Sequence, residues 1–343
     1  MTSTNGSKVK RLKMADIARM TGVSISTVSR ALAGSPLIPE ATREMIAEVA
    51  RSHGYVVNPF ARGLRMKRTQ TIGVVIPLGH EQRQLISDPF FLEMLGHLAD
   101  EITLRGYEIL LSKIVAPKPG WIDALIQAQR TDGLVFIGQS DQHAALNASA
   151  QTYDQMVVWG AHLPNQDYCT VGADNAYGGY IATRHLIDQG RRRIAFLGDP
   201  SLPEIGQRHA GYLRACQEAG LTLDPRLDAP AHFTAETAAE AADALLASGA
   251  EPDGLFATSD VIAMEFIKAL GRVGKSAPTD VAVVGFDDSS LAPLVSPPLS
   301  SVRQDLTEAA RIMIDLLFRR IEGEPVDGVQ MKPELVVRAS SSP

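Results

Sequence analysis

Hydrophobic residues recur with two different spacings along the chain, and the spacing changes near residue 70. Between residues 12 and 68 the apolar positions predict short amphipathic helices. From residue 71 to 340, short runs rich in β-branched residues alternate with amphipathic helical stretches. These patterns predict strands at 72–76, 108–113, 133–137, 156–159, 169–171, 194–197, 254–257 and 281–286, and helices at 90–105, 122–130, 177–189, 207–219, 235–247, 262–273 and 306–321.

This order of elements predicts the fold class. Strands that alternate with helices form right-handed crossovers and parallel sheets with helices on both faces. At least eight strands in the C-terminal part favour two such sheets over one. We therefore predict an α/β protein, with a small all-α N-terminal head followed by a core of two lobes, each built on a doubly wound parallel sheet.

The segment 14–32 predicts two helices joined by a short turn. Ala18 is small enough for a second helix to cross the first closely, and Gly22 supplies the turn. Ser24 can then cap the second helix, on which Val28 belongs to the buried face. This arrangement is typical of a helix-turn-helix, and a helical hairpin of another kind is the alternative.

The exposed face of that second helix carries hydroxyl groups and one arginine. Ser26, Thr27 and Arg30 share this face at helical spacing. Such a helix fits the major groove of DNA. A third helix at about 40–53 closes the small core, with apolar residues Ala41, Met45, Ile46 and Val49.

A short basic segment follows the three helices. Asn58 can cap a helix of about two turns that begins at Pro59. Gly63 weakens so short a helix, which therefore would order only on DNA, with Leu64 inserted into a minor-groove step. The alternative is a plain linker. The residues expected to contact DNA are Ser24, Ile25, Ser26, Thr27, Ser29, Arg30, Asn58, Arg62, Leu64 and Arg65.

Charge supports a polyanionic partner. The net charge is −6, but the first 68 residues hold twelve Lys or Arg and four acids, which makes +8 and leaves −14 on the rest. A basic head on an acidic body is expected when one end of a protein meets a polyanion. Charge alone does not separate nucleic acid from a membrane surface.

Several function classes lack their motifs. No apolar run has the length of a membrane helix, and residues 1–14 lack the apolar centre of a secretory signal. The two cysteines, Cys169 and Cys216, fit a reducing cytoplasm. No metal-ligand spacing, phosphate-binding glycine loop or GxSxG motif occurs. We therefore expect a cytoplasmic protein that is not an enzyme and needs no cofactor or metal.

Three segments resemble the lactose/galactose repressor (LacI/GalR) family: residues 14–32, the segment from Tyr55 to Leu64, and Gly285-Phe-Asp-Asp288. The resemblance covers nearly the whole chain. It implies a core similar to periplasmic sugar-binding proteins, a homodimer and a small effector. The implied divisions are a helix-turn-helix domain at 1–57, a hinge at 58–69, and an effector-binding and dimerisation core at 70–343, with an N-lobe (70–173, 304–332) and a C-lobe (174–303, 333–343).

The resemblance also implies an effector site. Arg208 matches the arginine that pairs with sugar hydroxyls or a purine, and Asp287 matches the acid that accepts from them. Arginine, carboxylate and stacking rings together suit a polyhydroxyl ring. The alternatives are that Asp260 and Asp287 only cap helices or turns and that the phenylalanines belong to the core; Trp159 is interpreted as strand packing. The expected effector-binding residues are Phe90, Phe91, Gln139, Arg208, Ser259, Asp260, Asp287 and Gln304.

These inferences combine into a predicted function. We expect a transcriptional regulator that binds a palindromic operator as a homodimer and has no membrane partner. It would repress sugar uptake or catabolism genes and leave the operator when a mono- or disaccharide binds. A corepressor-dependent regulator or an activator of the same family is the alternative. A sugar-binding transport protein and a sugar-modifying enzyme fit less well, because the head is basic and no acid–base pair or nucleophile is positioned for catalysis.

Overall fold

The computed structural model describes residues 12–55, 68–79 and 83–342. The chain divides into two compact units, Met1–Thr69 and Gln70–Pro343. The predicted hinge residues Asn58, Arg62, Leu64 and Arg65 lie outside the described residues.

The described part of the first unit holds three helices, α1 (Met14–Thr21), α2 (Ile25–Leu32) and α3 (Glu40–Ser52). Helix α1 ends at Gly22, whose φ of 71° is a left-handed conformation that glycine adopts at little cost. Ser24 caps α2, because its Oγ accepts a hydrogen bond from the backbone N–H of Thr27 at 3.1 Å. The predicted helix–turn–helix is therefore confirmed.

One side chain from each helix fills the centre of this small core. Ile17, Val28 and Ile46 have no exposed surface. The prediction for α3 is wrong in part, because Ala41 and Met45 are exposed. The buried face of α3 instead runs from Ile46 to Ala50, one turn apart, with Val49 partly buried beside them; Ala41 and Met45 are not on that stripe.

The second unit is α/β, as predicted. Strands and helices alternate along most of its length. Its strands are β1 (Thr71–Leu78), β2 (Glu108–Val115), β3 (Gly133–Ile137), β4 (Met156–Trp159), β5 (Cys169–Ala173), β6 (Ile194–Leu197), β7 (Asp228–Ala229), β8 (Gly254–Ala257), β9 (Ala282–Asp287), β10 (Ser300–Arg303), β11 (Val329–Met331) and β12 (Glu334–Val336). Its α-helices are α4 (Pro89–Leu104), α5 (Trp121–Gln127), α6 (His143–Ala150), α7 (Asn175–Asp188), α8 (Pro203–Glu218), α9 (Ala235–Ala247), α10 (Asp260–Arg272) and α11 (Leu306–Ile321).

These strands form two six-stranded sheets, in the orders β11-β5-β4-β3-β1-β2 and β12-β10-β9-β8-β6-β7. All strand pairs are parallel except β10 with β12. We call the first sheet with its helices the N-lobe and the second the C-lobe. The chain passes between the lobes three times: between β5 and α7, between β10 and α11, and between β11 and β12.

Both sheets are covered by helices on both faces, which is why the parallel strands are largely apolar. In the N-lobe, α4 and α11 pack on one face and α5 and α6 on the other. In the C-lobe, α9 and α10 pack on one face and α7 and α8 on the other. Helix α6 and strands β7, β10, β11 and β12 had no sequence prediction.

Candidate functional site

A cavity lies between the two lobes, at the carboxyl ends of their parallel strands. It has about 850 Å³ of free space, its solvent-filled mouth included. Its lining residues are Pro77, Leu78, Gln84, Asp88, Pro89, Phe90, Phe91, Ile137, Gly138, Ser140 and Trp159 from the N-lobe, with Leu202, Glu204, Ile205, Arg208, Phe233, Ser259, Asp260, Val261, Asp287, Ser289 and Gln304.

The cavity brings together the expected effector-binding residues with one exception, Gln139. Its side chain is wholly buried behind the wall. Its Nε2 donates to the carbonyl oxygen of Ala161 and to the hydroxyl of Tyr168, both at 2.7 Å. Its Oε1 accepts from the N–H of Ala161 at 2.9 Å. Gln139 therefore joins the ends of β3 and β4, and its amide has no donor left for a ligand.

Arg208 is held in place by a close approach of two helices. A Cβ on Gly179 of α7 would lie 2.0 Å from the carbonyl oxygen of Arg208 on α8, so only glycine allows this packing. The Arg208 Nε donates to Asn175 Oδ1 at 2.8 Å, and Nη1 donates to the carbonyl oxygen of Thr258 at 2.6 Å. The guanidinium also lies 3.6 Å above the ring centre of Phe286.

These contacts leave one arm of the guanidinium for a ligand. Arg208 is 6% exposed, and its Nη2 has no hydrogen-bond partner among the described residues. Arginine stays charged at any physiological pH, so this nitrogen presents fixed donors to the cavity. A buried, oriented donor of this kind suits hydroxyl or carbonyl oxygens.

Asp287 faces the same space from the end of β9. Its backbone has a φ of 110°, an unusual conformation for a residue with a side chain. Gln304 Nε2 donates to its Oδ1 at 2.8 Å and leaves Oδ2 without a partner in the described part of the chain. Burial raises the pKa of Asp287 well above its ordinary value, and the charge of Arg208 offsets part of this rise. The hydrogen bonds of the Arg208 side chain go to Asn175 and Thr258, and not to the carboxyl group of Asp287.

Asp260 and Ser259 also stabilise the local structure. Asp260 accepts hydrogen bonds from the backbone N–H and the hydroxyl of Ser289, at 2.7 and 2.9 Å, and from the hydroxyl of Ser301 at 2.5 Å. It therefore fixes the loop that follows Asp287. Ser259 caps α10, because its Oγ accepts from the N–H of Ile262 at 3.2 Å.

Aromatic rings form much of the N-lobe wall. Phe90 lies edge-on to Phe91, with ring centres 5.6 Å apart, and 6.3 Å from the ring centre of Trp159. Asp88 caps α4 and so sets the start of this wall, because its Oδ1 accepts from the N–H of Phe90 at 3.0 Å. The interpretation of Trp159 as strand packing was incomplete, since this buried residue also lines the cavity.

Glu204 spans the two lobes and had no sequence prediction. It lies in the first turn of α8, in the C-lobe, and its carboxyl group is next to the backbone N–H groups of Gln139 and Ala161 in the N-lobe. Burial nevertheless raises the pKa of Glu204. The signal that could have found it is its position just after Pro203, at the start of a helix that follows a strand end.

The predicted DNA-contacting face of α2 is open to solvent. Ile25 is 50% exposed, Ser26 and Arg30 are exposed, and Thr27 and Ser29 are half-buried. Val28 and Ala31 are buried, so the helical spacing decides which side chains of α2 face the solvent. Ser24 Oγ has neighbours at 2.7 Å (Ser26 Oγ) and 2.8 Å (Thr27 Oγ1) besides the N–H that it caps.

Two other site classes find no support in the described residues. They contain no group of three or more His, Cys, Asp or Glu arranged to hold a metal ion. Within the same ranges, no helix is long and apolar enough to cross a membrane.

Known proteins resemble both units. Residues 13–58 match the bacterial regulatory proteins of the lacI family, and residues 183–341 match the periplasmic binding protein-like domain. The HTH-type transcriptional repressor PurR of Photobacterium profundum is 30% identical over 333 residues, which cover 95% of this chain and 97% of the relative.

Solved structures resemble nearly the whole chain. The complex of the transcriptional regulator CelR with cellobiose is 29% identical, with a TM-score of 0.71, over 96% of this chain and 100% of that one. The lac repressor dimer bound to operator and the anti-inducer ONPF has a TM-score of 0.85 over 97% and 99%; at 21% identity it supports the fold alone.

Proposed function

Because the chain belongs to the LacI family of bacterial regulatory proteins, we propose that it represses sugar uptake or catabolism genes and leaves its operator when a small sugar binds. The observation that carries the sugar-responsive part is the cavity between the lobes, in which Arg208 Nη2 and Asp287 Oδ2 are unpaired within the described part of the chain. A donor and an acceptor facing one space fit a molecule rich in hydroxyl groups, which can both accept and donate.

The relatives support a regulator of this type. CelR, whose structure resembles this chain over nearly its full length, is described in complex with cellobiose, a neutral disaccharide. The aromatic wall of Phe90 and Trp159 offers flat apolar surfaces of the kind that cover the apolar faces of sugar rings. A repressor acts where its operator is, so we propose a cytoplasmic location.

The DNA contacts are proposed on the open face of α2 and on the hinge. Ser24, Ile25, Ser26, Thr27, Ser29 and Arg30 would lie in the major groove, and Asn58, Arg62, Leu64 and Arg65 at the centre of the operator. One head reads one half-site, so a homodimer would bind a palindrome. A duplex cut to one half-site should lose nearly all specific affinity in a mobility-shift assay, and undiminished binding would contradict the dimeric arrangement.

Arg30→Ala tests the base-reading role of α2. Arg30 is exposed on that helix, so the change should weaken the operator complex and alter base preference while leaving folding intact. Arg51→Ala is the matched control, because Arg51 is also an exposed arginine, at the end of α3. Selection of binding sites from a random library would measure both effects, and equal base preferences in the two variants would contradict the assignment.

The direction of the switch is tested by adding sugars to the operator complex. Release by a neutral sugar supports the proposed repressor. Tighter binding in the presence of the sugar would indicate a corepressor-dependent regulator instead. No response from a broad panel of mono- and disaccharides would contradict the sugar-responsive function.

A further inference from the structure

The cavity is acidic. Its lining holds one guanidinium and four carboxyl groups, and no lysine or histidine among the described residues. The acids come from both lobes, so any ligand between the lobes is close to several of them. They are Asp88, Glu204, Asp260 and Asp287, and the guanidinium belongs to Arg208.

Neutral donors, not cations, bind these carboxyl groups. Asp88 accepts from the Gln84 amide and a backbone N–H, and Asp287 accepts from the Gln304 amide. Backbone N–H groups are next to the carboxyl group of Glu204, and Asp260 accepts from serines and a backbone N–H. Hydrogen bonds of this kind orient a carboxylate but leave its charge in place.

A neighbouring acid shows the contrast. Asp288 follows Asp287 directly in the chain, but its side chain does not line the cavity. It lies between two arginines, with Arg303 Nε at 2.7 Å from Oδ2 and Arg338 Nη1 at 2.6 Å from Oδ1. The C-lobe thus neutralises an acid outside the cavity and leaves the acids inside it without ion pairs.

From this difference we propose, on the basis of the sugar-responsive function above, that the cavity accepts only ligands without a phosphate or carboxylate group. The regulator then senses a free sugar. Such a sugar is supplied by uptake or by hydrolysis of a glycoside, and it ceases to be a ligand once a phosphoryl-transfer reaction places a phosphate on it.

The size of the effect follows from Coulomb's law. One added negative charge about 6 Å from a single carboxylate, at the effective dielectric constant of a protein, weakens binding by roughly 100-fold. Arg208 compensates for only one of the four acids. A phosphate is further disfavoured because it must lose its hydration shell on entering the cavity.

The test compares charge forms of the same sugar by calorimetry on the full-length chain. The probes are D-glucose, D-galactose and cellobiose, the 6-phosphates of the two hexoses, D-glucosamine and 6-O-methyl-D-glucose. For a sugar that binds, we expect the 6-phosphate to bind on the order of 100-fold more weakly and the amino form to bind at least as well. The methyl ether controls for size, because it adds bulk at the same carbon without charge.

Two variants test whether the negative charge of the cavity causes the weaker binding of sugar phosphates. Asp88→Asn keeps the helix cap, since asparagine caps as well as aspartate, and removes one charge from the cavity. It should narrow the gap in affinity between a sugar and its phosphate, which is the ratio of the two dissociation constants, by about tenfold or more. Glu218→Gln removes an acid from the exposed end of α8, outside the cavity, and should leave the gap unchanged.

The outcomes separate this proposal from the function on which it rests. A 6-phosphate that binds as tightly as its sugar and releases operator keeps the sugar-responsive function and overturns this proposal alone. A rise in thermal stability with inorganic phosphate that disappears in Arg208→Ala would also overturn it. A panel in which no sugar binds in any form contradicts the function and the proposal together.

Discussion

The two walls of the cavity differ in what they offer a ligand. The C-lobe wall presents Arg208 and Asp287, which hydrogen bonds and close helix packing hold in fixed positions. The N-lobe wall presents Phe90 and Trp159, whose rings offer apolar contact area but few directional hydrogen bonds. The difference indicates that the C-lobe selects a ligand by its hydroxyl groups and the N-lobe covers it. A ligand bound by both walls then favours one arrangement of the lobes over others.

The largest effect is expected on the C-lobe wall. Arg208→Ala should weaken sugar binding by roughly 100-fold or more, because it removes a charged donor and leaves the ligand oxygens unpaired. Arg208→Lys should recover only part of this loss, since lysine keeps the charge but not the planar fork. Calorimetry measures both.

Arg214→Ala is the control for that experiment, because Arg214 lies on the same helix and is exposed. Equal sugar affinities in the Arg208→Ala and Arg214→Ala proteins would contradict the conclusion that the C-lobe wall selects the ligand.

How much of the fold and of the candidate site the sequence predicts depends on how far apart along the chain the interacting residues lie. The exposed face of α2 follows from local spacing, since Val28 and Ala31 fix which positions face inward. The two sheets follow from the alternation of strands and helices. Arg208 and Asp287 reach the cavity as the family resemblance implies.

Contacts between residues that are far apart in the chain could not be predicted from the sequence. Gln139 follows β3 as expected, but Tyr168 and Ala161 bind its amide behind the wall. Glu204 comes next to the N-lobe only because the two lobes meet. A side chain at a strand end can face the ligand space or the neighbouring strand, and the spacing of apolar residues does not decide between them.

A smaller effect is expected on the N-lobe wall. Phe90→Ala should weaken sugar binding by roughly ten- to thirtyfold, which corresponds to the apolar contact that a half-buried ring provides. Leu104→Ala is the control, since Leu104 ends the same helix and is 79% exposed. A loss as large as that of Arg208→Ala, found by calorimetry, would contradict the division between a selecting wall and a covering wall.

The smallest effect is expected on the thermal stability of the protein in the absence of sugar. Burial raises the pKa of Asp88 above its ordinary value of 3.8. The folded state therefore keeps the proton to higher pH than the unfolded chain, and the contribution of Asp88 to stability falls as pH rises between the two pKa values. An asparagine at this position has no such proton to lose.

The Asp88→Asn protein should thus gain thermal stability relative to the native protein on going from about pH 3 to about pH 8. Scanning calorimetry without sugar measures the difference at each pH. Asp100→Asn, at an exposed position on the same helix, is the control. A constant difference for Asp88→Asn across this range would contradict an uncompensated charge on the N-lobe wall.

The central claim, that a sugar in this cavity controls operator binding, is tested most directly by following a fluorescent operator duplex by anisotropy while sugar is added. We predict that the native protein releases the duplex. The Arg208→Ala protein should bind the duplex as tightly as the native protein and keep it at sugar concentrations that release the native protein, because its DNA-binding helices lie in the other unit. Release of both proteins at the same sugar concentration would contradict the account.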